Sequence, residues 1–457
     1  MEIVKRALRV ALVFTLTNLA LLESLLPVPD WMPLPLLLGL LVGYLIFHIR
    51  PCAPDRAATL RLRTLLGGYE LLIVSFWTIM VQSVFYALLL WTGALASLPI
   101  LAGNADMAVW LLVANLLIFL PLVGALLVNG FVRVVVTSKH LRVVWRVLFL
   151  VFWWVPVFQL YLFWRVLRAV KHEYYFEVAR LEHEAVHAEN HDCLTRYPIV
   201  MVHGIFFRDW QLMGYWGRIP RALQKCGATI YYGGQQSALP VAQSAQELAA
   251  RLHEVLEETG AEKVNLIAHS KGGLDSRYAI TKLGLAPHVA SLTTINTPHR
   301  GCIFAQHLLK TLPAGVLRQM ESKYNAVFHT LGDATPDFLG GVRDLTHDSC
   351  ARFNEEVPDD PRVYYQSVMS TMRAPSGAGF PLNFTWRLVK KHDKEENDGL
   401  VARSSAEWGH FLGNLTVPGR RGLSHGDVID LLREDIPGFD VREFYIELVK
   451  GLKERGF

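Results

Sequence analysis

Hydrophobic positions are distributed in two different ways along this chain. Long unbroken apolar runs fill the first third, covering Val10 to about Leu26, Leu36–Ile49, Leu65–Trp91, Met107 to about Val136 and Val147–Trp164. A helix needs roughly 20 apolar residues to cross a bilayer. The third and fourth runs exceed that; the second is short, with Pro33 and Pro35 in or near its first turn, and the fifth contains Pro156. The pattern predicts an all-α transmembrane region of four to five helices over residues 1–170. No small-residue cleavage site follows the first run, which therefore reads as an uncleaved membrane helix. Residues 171–196 are polar and predict a helical linker.

From residue 197 onward the period changes. Short segments at Tyr197–His203, Ala228–Tyr232, Val264–Ala268, Ser291–Asn296 and Arg362–Ser370 read as strands. Between the second and third lies an amphipathic helix, Val241–Thr259, with Leu248, Leu252, Val255 and Leu256 on one face. Strands alternating with helices imply a parallel sheet covered on both faces, in a catalytic domain over residues 197–457.

Composition sharpens this division. With 52% hydrophobic residues the chain is too apolar for a soluble enzyme. Residues 1–180 carry 15 Lys and Arg against 8 Asp and Glu, a net of +7, and the remainder carries 30 against 33, a net of −3. The basic residues lie in short loops that alternate with the Lys/Arg-free loops Pro27–Pro33 and Thr92–Asp106, which puts the N-terminus in the cytoplasm. Membrane topology thus accounts for them, and no nucleic-acid partner is implied. Arg142 and Arg146 precede the fifth run while Arg165, Arg168 and Lys171 follow it. If that run spans, the C-terminal domain faces outward and the last basic cluster breaks the positive-inside rule; if it dips and returns around Pro156, the domain faces the cytoplasm. Both arrangements fit an integral protein of a bacterial inner membrane. Glu23, His48 and Glu70 lie near the ends of their runs, which favours an anchor or lipid-facing platform over a transporter. The five cysteines, Cys52, Cys193, Cys226, Cys302 and Cys350, show no metal spacing and do not decide the redox compartment.

The chemistry centres on Lys263–Asp275. Val264–Ala268 is an apolar strand, His269-Ser270-Lys271 a turn, and Gly272-Gly273 the start of a helical pattern. A sharp strand-turn-helix elbow exposes a serine and holds it rigidly, provided the residues two away on either side are small. Here they are Ala268 and Gly272, so alanine replaces the first glycine of G-x-S-x-G. The strand at Tyr197–His203 ends in Gly204, where such enzymes draw an oxyanion donor. Ile205 and Lys271 would supply the two backbone N–H groups. An acid and a base are needed downstream in that order. Asp398 in E-E-N-D-G-L-V and His425 on a glycine-flanked loop meet the requirement. Asp393, Asp427 and His410 are competing positions, while His269 and His299 read as packing and local hydrogen bonding. A rival chemistry lies in His183-Glu184-Ala185-Val186-His187, which matches the H-E-x-x-H of zinc metalloproteases.

These blocks carry a resemblance. Y-P-I-V-M-V-H-G from Tyr197, Y-W-G-R-I-P-R-A-L from Tyr215, V-N-L-I-A-H-S-K-G-G from Val264, T-P-H-R-G from Thr297 and N-D-G-L-V from Asn397 together resemble the bacterial triacylglycerol lipases of the Pseudomonas type, across about residues 197–432. The resemblance implies an α/β-hydrolase fold, with Ser270 as nucleophile, His425 as base, Asp398 as its orienting acid, and Ile205 and Lys271 as oxyanion donors. It also implies an amphipathic lid between His307 and Leu345, where Val316, Leu317, Met320, Tyr324, Val327, Phe328 and Leu331 recur at helical spacing. The family's structural calcium uses an aspartate two residues after the base, matched by Asp427; its second aspartate has no match around Ser376–Phe384, so no cofactor is required. The family disulfide lacks a partner because Ser404 stands where a cysteine follows N-D-G-L-V, which is compatible with a reducing compartment. The expected protein is a membrane-anchored serine ester hydrolase acting on lipid or other acyl esters. Other readings are a thioesterase or acyltransferase on the same residues, the zinc protease, and an inactive hydrolase-like scaffold.

Overall fold

A computed structural model describes residues 2–25, 29, 31–93, 105–139, 141, 143–152, 155–205, 214–236, 238–330 and 333–457. The chain folds as two compact units, Met1–His183 and Glu184–Phe457.

The first unit is entirely helical: α1 Glu2–Leu25, α2 Pro33–Ile49, α3 Leu60–Thr92, α4 Ala105–Thr137, α5 Val143–Val151, and α6 starting at Pro156 and ending at Glu189, within the second unit. Among the described residues two helices are long and apolar enough to cross a membrane, Leu60–Thr92 and Val109–Thr137. They approach closely through glycine. A Cβ at Gly68 would lie 2.8 Å from the Gly130 carbonyl oxygen, so a larger residue would push the helices apart. Polar residues inside this unit are paired across helices. Glu70 accepts from Arg6 and Arg9, and Asn18 and Gln82 exchange bonds of 2.6 and 2.9 Å. The apolar run read over Val147–Trp164 is not one helix, because α5 ends at Val151 and α6 starts afresh at Pro156. Proline suits a helical first turn, where its missing N–H is not needed, and is costly in a helix interior.

The second unit is a six-stranded sheet with every pairing parallel, in the order β2-β1-β3-β4-β5-β6. The strands are β1 Ile199–Val202, β2 Ile230–Tyr232, β3 Val264–His269, β4 Val289–Ile295, β5 Tyr364–Ser370 and β6 His410–Leu415. Helices α7 Ile219–Lys225, α8 Val241–Thr259, α9 Gly272–Lys282, α10 Ile303–Thr311, α11 Ala314–Thr330, α12 Phe338–Asp344, α13 His347–Glu356, α14 Leu382–Asp393, α15 Arg403–Ala406 and α16 Val441–Glu454 complete it. Successive strand residues face opposite sides, and both sides are filled. Ile199 and Met201 join Ile219, Leu223, Tyr445 and Val449 on one face. Val200 and Val202 join Leu248, Leu252, Val255 and Ile280 on the other. That double burial explains why β1 is wholly apolar and β3 largely so, while the buried Ser and Thr residues of β4 lie inside the same sheet. The edge strand β6, half exposed and opened by His410, lacks that signature and was not expected. The result is the α/β-hydrolase arrangement, with β3 at its centre.

Candidate active site

The elbow after β3 forms as its sequence demands. Ser270 has φ +54°, in the left-handed region that non-glycine residues avoid. The conformation persists because its surroundings leave no room for another. A Cβ at Gly272 would sit 2.4 Å from the His203 carbonyl oxygen, and one at Gly204 would sit 2.7 Å from Ser270 Cβ. Ala268, fully buried, fits where the first glycine was expected. Ser270 itself is 7% exposed.

Asp398 and His425 come from loops beyond β5 and β6 and meet beside the sheet. Met372 bridges to both Asn397 and Gly422, which ties the two loops to the same end of β5. Asp398 is wholly buried; its Oδ1 accepts from the Leu400 and Val401 N–H groups at 2.8 Å each. That leaves Oδ2 for His425 Nδ1, at 2.6 Å. The His425 backbone N–H also donates to the Asp398 carbonyl, at 2.8 Å. Among the described residues no hydrogen bond joins Ser270 Oγ to His425. Such contacts are often long in a free enzyme and tighten around substrate. On the other side of the elbow, the Ile205 and Lys271 N–H groups have no acceptor among the described residues. The Lys271 side chain is turned away from solvent, held by Asp275 at 2.7 Å and Ser244 at 2.8 Å. Burial pushes the Asp275 carboxyl up to about 6, against the pull of Lys271.

A buried relay absent from the sequence reading links these loops. The Gly204 N–H donates to the Tyr215 hydroxyl at 3.0 Å, and that hydroxyl lies 2.6 Å from His269 Nδ1. His269 Nε2 faces the His425 carbonyl oxygen at 3.1 Å, so Nε2 carries the proton and Nδ1 accepts from Tyr215. Burial, then the neighbouring His425, hold the His269 pKa well below 6.5, so the ring stays neutral. Tyr215 stood only as a letter in Y-W-G-R. No spacing signals a partner 54 residues away. His299 is likewise buried, bonded to Thr294 and stacked on Trp408 at 4.9 Å.

The remaining candidates lie elsewhere. His410 is exposed at the start of β6, and Asp393 ends α14. Asp427 is 2.8 Å from the Ser424 N–H and 3.3 Å from the Arg421 guanidinium. With a cation already beside it, this carboxylate does not fit a calcium site. In the H-E-x-x-H stretch, Glu184 is ion-paired with Lys225, and His187 sits between Asp192 at 2.6 Å and Glu443 at 3.0 Å. Among the described residues the group able to hold a metal ion is His187, Glu443 and Glu447, which does not include His183.

The family model for the alpha/beta hydrolase fold matches residues 197–391, stopping short of Asp398 and His425. A triacylglycerol lipase of Pseudarthrobacter phenanthrenivorans is 41% identical over 177 residues, 36% of this chain and 54% of the relative. One of Burkholderia plantarii is also 41% identical over 177 residues, 36% of this chain and 49% of the relative. One of Vibrio cholerae is 32% identical over 240 residues, 48% of this chain and 76% of the relative. The chain thus spans about half the length of the first two relatives.

Proposed function

The chain belongs to the triacylglycerol lipase family of α/β-hydrolases, and on that footing we propose that it is a membrane-anchored serine hydrolase cleaving acyl esters of lipids. The observation that carries the reading is the buried Asp398–His425 pair, whose imidazole packs on His269, the residue before a serine held at φ +54°. Ser270 Oγ attacks the ester carbonyl while His425 Nε2 takes its proton. Asp398 keeps the Nδ1–H oriented and stabilises the imidazolium. Charge developing on the carbonyl oxygen falls on the Ile205 and Lys271 N–H groups, which among the described residues have no other acceptor. Collapse expels the alcohol, protonated by His425, and water then releases the acid from the acyl-enzyme by the same steps.

Helix α11 supports a lid. Unlike a core helix it buries Phe328 while Val316, Tyr324 and Val327 stay exposed. An amphipathic cover of that kind suits substrate presented at an interface. The long apolar helices, in turn, support anchoring by the first unit, with α1 to α4 crossing the bilayer. The test is labelling of the detergent-solubilised full chain with a fluorophosphonate, in parallel with turnover of long-chain esters. Wild type is expected to label, and Ser270→Ala to lose both labelling and several orders of magnitude of turnover. Undiminished turnover in Ser270→Ala would sink the mechanism.

A further inference from the structure

Where the chain goes between α4 and α6 decides which side of a membrane the hydrolase works on. Glu173, in α6, is fully buried. Its Oε2 accepts from Ser138 Oγ at 2.6 Å, and its Oε1 accepts from the Lys139 N–H at 2.9 Å and from Arg61 at 2.6 Å. Ser138 and Lys139 immediately follow α4, and Arg61 is the second residue of α3. The chain therefore leaves the end of α4 and is back beside it by residue 173. A round trip of that kind crosses a bilayer twice or not at all.

It does not cross twice. Helix α5 has nine residues, so it is about 13 Å long at roughly 1.5 Å per residue, against a hydrocarbon core of about 30 Å. The two helices instead fold back on each other. The Arg165 guanidinium lies 3.9 Å from the Trp145 ring centroid, and Phe152 and Phe158 meet edge to face at 5.1 Å. The pair also packs on its own bundle, through Phe149 on Phe131 of α4 and Phe163 on Phe76 of α3. Its outer side carries exposed Val157, Leu160, Tyr161 and Trp164, an aromatic and aliphatic surface suited to acyl chains near an interface.

The face it returns to can be identified. Helix α1 runs parallel to α3, since Arg6 meets Glu70 and, twelve residues later in each, Asn18 meets Gln82. The N-terminus therefore lies at the face where α3 begins. Arg50, Arg56, Arg61, Arg63 and Lys139 cluster at that face, and Arg165, Arg168 and Lys171 lead back to it, whereas residues 26–32 and 92–106 contain no Lys or Arg. The positive-inside rule makes this face cytoplasmic.

We infer that α5 and the first part of α6 form a re-entrant hairpin seated in the cytoplasmic leaflet, and that the hydrolase acts from the cytoplasmic side on lipid esters of that leaflet. The inference rests on the membrane and hydrolase reading above. It is tested with the full chain in bacterial spheroplasts, using single substitutions at exposed positions, Trp31→Cys between α1 and α2 and Leu194→Cys in the second unit, and a membrane-impermeant maleimide. Expected are labelling of Trp31→Cys in intact spheroplasts and labelling of Leu194→Cys only after permeabilisation, both above the wild-type background. Labelling of Leu194→Cys in intact spheroplasts while the protein stays in the alkaline-washed membrane pellet overturns the hairpin or its orientation and leaves the membrane reading standing. Silence of Trp31→Cys in intact spheroplasts overturns the orientation. Release of the protein into the alkaline wash overturns the membrane reading itself, and the hairpin with it.

Discussion

Ser270 shows how much of the site is concentrated in single residues. Its left-handed backbone costs a non-glycine residue of order 1–3 kcal/mol and persists because neighbours over-determine it. Tyr215 is one of the residues that organise those neighbours. Its hydroxyl joins Gly204, which precedes the proposed oxyanion donor Ile205, to His269, which precedes the proposed nucleophile Ser270 and touches the loop of the proposed base His425. Tyr215→Phe leaves a buried N–H and a buried ring nitrogen unpaired, each at a cost of about 1–3 kcal/mol. The variant is expected to unfold at lower denaturant and to lose kcat with little change in KM, read by denaturant titration and steady-state kinetics. Unchanged kcat in a folded variant would mean that the relay does not position the site.

At the scale of elements, the junction of β1 with α9 is set by the absence of side chains. In Gly272→Ala the new Cβ would meet the backbone oxygens of His203 at 2.4 Å and Val202 at 2.8 Å. Backbone cannot rotate away as a side chain can, so overpacking of about 1–3 kcal/mol is expected, with activity falling alongside the melting temperature. Loss of activity without any change in melting temperature would contradict this account. A second junction, between the end of α6 and α16, is pH-dependent. Burial works to lower the His187 pKa, but hydrogen bonds from its ring to the Asp192 and Glu443 carboxylates carry it above 6.5. A raised folded pKa means that the stabilisation is complete below 6.5 and is lost as pH rises through the folded value. The melting-temperature gap between wild type and His187→Gln should therefore be widest in mild acid and close as the solution becomes alkaline.

For the molecule as a whole, residues 1–180 carry a net +7 and the remainder −3, and the long apolar helices lie in the first of the two units. If the helical unit brings the hydrolase to its substrate, a chain starting at Glu184 should keep turnover of a short water-soluble ester and lose most activity on lipid in liposomes. Equal activity on liposomes would remove the anchor from the functional account. Exposed Val316, Tyr324 and Val327 on α11 give the second unit its own apolar surface, so the comparison is best made at low lipid concentration, where anchoring matters most.

Local information was enough for much of this protein. Apolar runs longer than 20 residues, the doubly buried strands β1, β3 and β4, and the small residues flanking Ser270 are each read from one contiguous stretch of chain, because backbone hydrogen bonding, burial period and steric size are local constraints. The serine, acid and base proposed for the site stand along the chain in the order Ser270, Asp398, His425. Tertiary structure decided what depends on meetings at long separation, the 2.6 Å approach of Asp398 to His425 and the Tyr215–His269 relay, and among the described residues it groups His187 with Glu443 and Glu447 and not with His183. It also brings Glu173 back beside the end of α4. Basic residues flank Val147–Trp164 on both sides, and charge alone fits a span or a return equally well. The closure of Glu173 onto Ser138, Lys139 and Arg61 is what supports the inferred return, since a buried carboxylate must find its donors wherever the fold brings them.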